Sequence, residues 1–216
     1  VYGCDVQQAV LDDAIADGAI DGTGNMTDGT YDMIILCLHQ RIAIQMVQEA
    51  LPKIPAGTIL VDTCGLKGRM VRDLTYRCRK ADVRYVGTHP MAGREKSGYY
   101  ASIPNLFQNA NLIVTPVDGT DEAALDTVKE LADQMGFGKI VTATPMWHDN
   151  MIAYTSQLAH VVSSSYVKDF CMDDALSFSG GSFQDMTRVA TMDESMWAAL
   201  FLDNRECLLE ELDELL

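Results

Sequence analysis

Residues 87–98 read GTHPMAGREKSG, in which His89 directly follows an apolar run and precedes Pro90, with three glycines and the charged trio Arg94, Glu95 and Lys96 close by. An imidazole has an unperturbed pKa near working pH, so its neutral form is available to take a proton. Glycine lets backbone approach a ligand, and proline stiffens a turn. His89 is therefore read as an acid/base residue at the mouth of a cofactor site. Asp5 closes the strand-like VYGCD. A dinucleotide fold puts at such a strand end the acid that bonds the adenosine ribose hydroxyls, and its charge repels a 2'-phosphate, which favours NAD over NADP; a plain turn aspartate is the competing and commoner use. Ser156, Gln157, His160, Ser163 and Ser164 fall at helical spacing on one stripe, and residues 151–166 contain no Asp, Glu, Lys or Arg. A solvent face normally carries such charges, so the stripe reads as the lining of a buried cleft. Arg188 stands three residues after Asp185. Spacing alone favours an i, i+3 surface pair of little energetic weight, while a guanidinium fork fitted to a carboxylate is the sharper use. His148 with Asp149 suits a structural role at a helix start, and His39, after a strand end, could border a nicotinamide pocket.

The elements that must position these residues alternate. The apolar runs YDMIILCL (31–38), TILVD (58–62), RYVGT (84–88), NLIVTP (111–116) and KIVTAT (139–144) are separated by helical stretches near 7–17, 40–51, 66–80 and 121–135. Continuous apolar strands are buried on both faces, which predicts a parallel sheet with crossover helices. At Thr144 the alternation ends. Thr144 can cap, and Pro145 can start, a helix running unbroken to about 170, followed by helical sequence apart from the loop SFSGGSF at 177–183. A boundary is expected there, between a sheet domain at 1–144 and a helical domain at 145–216. Acidic residues outnumber basic ones 31 to 16, for a net charge of −15. That balance argues against nucleic acid or an anionic membrane as partner, and a small anionic substrate would need locally concentrated cations. The six cysteines are scattered without a CxxC pair. They are expected to be reduced thiols of a cytoplasmic protein, with neither a disulfide frame nor a metal site. No apolar run approaches the length of a membrane span, and no signal peptide opens the sequence.

Taken in order, VYGCD, VDTCGLKG, GTHPMAGREKSG, HDNMIAYTSQLAH and SGGSFQDMTRVA, followed by Met196 and Trp197, resemble the prephenate dehydrogenase family, including its arogenate-using relatives. The resemblance implies a Rossmann-like α/β domain and an all-helical dimerisation domain that pairs two subunits. It implies NAD as cofactor, with Asp5, His39 and Gly65 on the cofactor side. His89 would accept the proton of the substrate's ring hydroxyl as hydride leaves the same carbon for the nicotinamide, with loss of the ring carboxylate as carbon dioxide. His160 and Ser156 would line the substrate cleft, Arg188 would grip a carboxylate, and Gly181 and Trp197 would border the site. Family members begin with a strand and a GxGxxG turn that these residues lack, so roughly 25 to 35 further residues are expected before Val1, together with an extension beyond Leu216. Two positions depart from the family. Gly65, in DTCGLK, stands where a serine usually orients the catalytic histidine, a duty that Cys64 or a water could take over. The turn after YDMIILCL reads HQR where a proline is common. An arogenate dehydrogenase and a non-catalytic, ligand-binding or dimerising relative are the alternatives; a generic hydroxyacid dehydrogenase fits the architecture but not HPMAG.

Overall fold

The computed structural model describes residues 1–29, 31–94, 98–168 and 175–216. Glu95 and Lys96, Cys171 and the end of the long helix near 170 lie outside the described residues. The chain forms two compact units: Val1–Cys64 with Met70–Thr142, and Gly65–Arg69 with Ala143–Leu216.

In the first unit, β1 (Tyr2–Gly3) pairs in parallel with β2 (Gly22–Thr23), the two joined through α1 (Gln8–Ala16). A second sheet follows in the order β3 (Met33–Leu36), β4 (Ile59–Asp62), β5 (Arg84–Pro90), β6 (Asn111–Val114) and β7 (Lys139–Thr142). All four residues of β4 are buried, as its unbroken apolar run requires. Because side chains alternate across a strand, Leu60 and Tyr85 pack with α2 (Gln40–Ala50) and α3 (Gly68–Lys80), whereas Ile59, Val61 and Val86 pack with α4 (Glu122–Gln134). Helices thus cover both faces, as expected of a Rossmann-like sheet.

One junction departs from the parallel alternation. β5 and β6 are antiparallel, with His89 opposite Ile113, whereas β3–β4, β4–β5 and β6–β7 are parallel. A parallel pair needs a crossover, usually a helix. The stretch between β5 and β6 carries, among the described residues, only the single 3₁₀ turn Tyr99–Ala101, so β6 returns beside β5 in the opposite direction. The pairing also extends β5 two residues beyond the sequence reading, to Pro90. His89 lies on a strand end rather than in a loop.

In the second unit, Thr144 accepts a hydrogen bond from the Trp147 amide at 3.2 Å and Pro145 opens α5 (Pro145–Ile152), the start read from sequence. The helix that follows is not unbroken. A π-turn (Ala153–Gln157) separates α5 from α6 (Leu158–Tyr166). The expected loop at 177–183 is partly helical: a 3₁₀ turn spans Leu176–Phe178, and α7 (Gly181–Thr187) starts at the second glycine. A 3₁₀ turn at Arg188–Ala190, α8 (Glu194–Asp203) and α9 (Arg205–Leu215) complete the unit.

Candidate active site

His160 anchors the polar cluster of the helical unit. Its Nδ1 lies 2.9 Å from the Val189 carbonyl. A carbonyl only accepts, so Nδ1 carries the proton and Nε2 is left as an acceptor. The ring stacks on Trp197 from α8, with centroids 3.7 Å apart. Burial pushes the imidazole pKa below its ordinary value, against the Val189 bond that raises it, and the positive charge of Arg188 lowers it further. The neutral form is thereby favoured. Three residues from the sequence reading, His160, Trp197 and Arg188, are thus brought together. Ser156, in the π-turn, is half-buried, and Gly181 opens α7 with open space where a Cβ would stand.

The polar stripe divides. Gln157 and Ser163 are each 1 % exposed and turn inward, where Ser163 Oγ donates to the Met186 carbonyl and Gln157 bonds within the helical packing. These two do not line a cleft. Buried polar groups need partners, and both side chains have them.

A polar tie in the same unit has no local sequence signature. Asp149 takes two backbone amides, Lys67 N on Oδ1 and Gly68 N on Oδ2, both at 2.8 Å, and lies 2.7 Å from His148 Nδ1. His148 is 1 % exposed. The structural role expected of this pair therefore stands, and its purpose is to cap the first turn of α3. Gly65 belongs to the same unit, and its missing Cβ would meet only Leu200 Cδ2, at 3.9 Å.

In the first unit β4 ends at Asp62, in register with Gly87 of β5, two residues before His89. Asp62 is fully buried; its Oδ2 accepts from Tyr85 Oη at 2.7 Å and its Oδ1 from the Cys64 amide at 2.9 Å. Burial and the Asp62 charge hold the Tyr85 pKa well above its ordinary value, so the phenol remains a donor. Thr88, next to His89, donates to the Asp62 carbonyl. The Cys64 thiol is buried and donates to the Leu38 carbonyl at 3.4 Å. Asp5 follows β1 and is exposed, with Oδ1 accepting from the Gln7 amide at 2.8 Å. His39 is the exposed residue preceding α2, without a side-chain capping bond. Beside it is a residue that sequence reading missed. Gln40 is 7 % exposed, yet neither of its amide atoms has a hydrogen-bond partner among the described residues. Among those residues no three His, Cys, Asp or Glu side chains gather as metal ligands, and no helix is long and apolar enough to cross a membrane.

Residues 1–142 match the family model of the prephenate dehydrogenase nucleotide-binding domain, and residues 144–216 match that of the prephenate dehydrogenase dimerization domain. The chain belongs to the prephenate dehydrogenase family. It is 29 % identical over 210 residues to the prephenate dehydrogenase of Bacillus subtilis, covering 95 % of this chain and 55 % of that protein. It is 31 % identical over 190 residues to the cyclohexadienyl dehydrogenase of Zymomonas mobilis, covering 84 % of this chain and 63 % of that one. The chain therefore spans little more than half the length of these family members. Among solved structures, the prephenate dehydrogenase of A. aeolicus in complex with hydroxyphenyl propionate and NAD+ superposes with a TM-score of 0.85 at 29 % identity, over 99 % of this chain and 77 % of that one.

Proposed function

We propose that the protein carries out the NAD-dependent oxidative decarboxylation of prephenate to 4-hydroxyphenylpyruvate, in tyrosine biosynthesis. The observation that carries this reading is the His160 cluster: a neutral imidazole whose Nε2 is its acceptor nitrogen, stacked on Trp197 and close enough to Arg188 to feel its charge. Such a cluster suits an anionic ring that offers a donor. Residue chemistry supports NAD as well. Asp5 at the end of β1 offers a carboxylate to ribose hydroxyls, and the Gln40 amide, buried without partners at the first turn of α2, is a polar pair that a bound group would complete. His39 and Gly65 are assigned to the same side. When bound, NAD supplies the hydride acceptor.

The protein's own residues do the rest. His89 takes the proton of the ring hydroxyl at its imidazole nitrogen as the carbonyl forms, and the ring carboxylate leaves as carbon dioxide. Aromatisation makes that step effectively irreversible. Arg188 binds a substrate carboxylate through its fork, while Ser156, His160, Gly181 and Trp197 border the ring. The same reading assigns residues 1–144 to cofactor binding and residues 145–216 to substrate binding and to a homodimer.

The test is a steady-state assay with NAD and either prephenate or arogenate, on the protein and on His89→Asn. The expected outcome is turnover with prephenate and a kcat lower by about 10² to 10⁴ in the variant, the usual span for a positioned base, with KM changed far less. Normal turnover by His89→Asn would remove His89 from the chemistry.

A further inference from the structure

The π-turn at Ala153–Gln157 is wound one residue wider than the helices on either side, with the Leu158 amide bonded to the Ala153 carbonyl five residues back. Such turns are rare, occur as single insertions in α-helices and collect at functional sites. A specific set of bonds holds this one. Gln157 Nε2 donates to the Leu200 carbonyl at 3.1 Å, and Gln157 Oε1 accepts from Asn204 Nδ2 at 2.8 Å. Asn204 Nδ2 also donates to the Asp149 carbonyl at 2.9 Å. Both residues are buried, at 1 % and 5 % exposure. The two hydrogens on Asn204 Nδ2 and both ends of the Gln157 amide are therefore accounted for, in a place where leaving either unpaired would be costly. Asn204 sits where α8 gives way to α9, so one side chain ties the end of the Trp197-bearing helix to the turn that precedes His160.

The geometry of one inserted residue gives the tie its consequence. At 3.6 residues per turn, adding or removing a residue rotates everything downstream by about 100°. With the turn in place His160 meets both Val189 and Trp197. We propose that Gln157 and Asn204 are positioning residues of the substrate site: they hold the π-turn, and through it fix the directions of Ser156 and His160. The substrate role of His160 rests on the function proposed above; the tie and its effect on the His160–Trp197 pair do not.

The protein has two tryptophans. In a Trp147→Phe background Trp197 is the sole indole, and protonation of the stacked His160 quenches it. Its emission is expected to titrate with a midpoint below the ordinary histidine value, and His160→Gln should abolish that titration. Gln157→Met and Asn204→Leu, each checked for cooperative thermal melting, should move the midpoint toward the ordinary value or lose the titration. They should also raise KM about tenfold or more while lowering kcat far less. Should either single variant fail to fold, Gln157→Met/Asn204→Leu removes both halves of the side-chain pair, leaving no half-made amide bond between them, and carries the same readouts. Folded variants whose emission, midpoint and KM all equal those of the parent would overturn the proposal. Absence of turnover by the parent would instead count against the proposed function, and the fluorescence result would still decide the tie.

Discussion

Gly65 is the residue whose replacement is most informative. A Cβ there meets one atom at ordinary van der Waals distance, and the backbone is not in the left-handed region. Gly65→Ser is therefore expected to leave the unfolding free energy within about 1 kcal/mol of the parent, on the stabilising side, because it restricts the unfolded chain. If a hydroxyl at this position helps to orient the substrate, kcat should rise. Denaturant titration and steady-state kinetics on this one variant check both. His160 supplies a pH dependence whose sign follows from its environment. Its folded pKa is held below the unfolded value, chiefly by burial and further by Arg188. Between the two values the unfolded chain binds more protons, so stability rises with pH across that window. The contribution is complete above about pH 6.5, the unfolded histidine value, and is lost as pH falls through the folded value. Thermal midpoints measured from pH 8 to pH 5 should drop less steeply for His160→Gln than for the parent.

Among the elements, α3 depends on a cap supplied from far along the sequence. Asp149, from α5, accepts the two amides at its first turn over separations of 82 and 81 residues. Asp149→Ala should cost about 2 to 4 kcal/mol, the scale of charge-assisted bonds lost together with buried donors left unpaired. Asp149→Asn, which keeps one acceptor oxygen, should cost less; equal thermal midpoints for parent and Ala variant would mean that the cap carries no weight. The same distances explain what the sequence made legible. The start of α5 at Thr144 and Pro145 could be read because its chemistry is local, and β4 because burial on both faces leaves an unbroken apolar run. The direction of β6 could not, since it turns on a stretch after Pro90 that, among the described residues, carries only one 3₁₀ turn in place of a crossover helix. Nor could the π-turn: the partners that hold it, Leu200 and Asn204, lie 43 and 47 residues from Gln157. Spacing therefore places Gln157 with Ser156 and His160, although its amide faces into the packing. Val189, the residue that fixes the His160 tautomer, is likewise 29 residues away and contributes only its carbonyl, which no side-chain pattern announces.

At the scale of the whole molecule, the two compact units are not two consecutive stretches of chain. Residues Gly65–Arg69, between β4 and the body of α3, belong with the helical unit. The backbone thus enters that unit, leaves it after five residues and returns at Ala143. Recombination between relatives offers a direct measure of this arrangement. A chimera joined at 143, carrying the helical half of the B. subtilis relative, would pair a foreign helix start with the native 65–69 turn. It should melt several degrees lower than a chimera in which both segments come from the same parent, since about 1 kcal/mol already shifts the midpoint of a domain this size by a few degrees. Equal melting of the two chimeras would mean that any parent's turn serves. The inheritable module of this fold is accordingly a discontinuous one, and a crossover map drawn along the linear sequence would cut it in two.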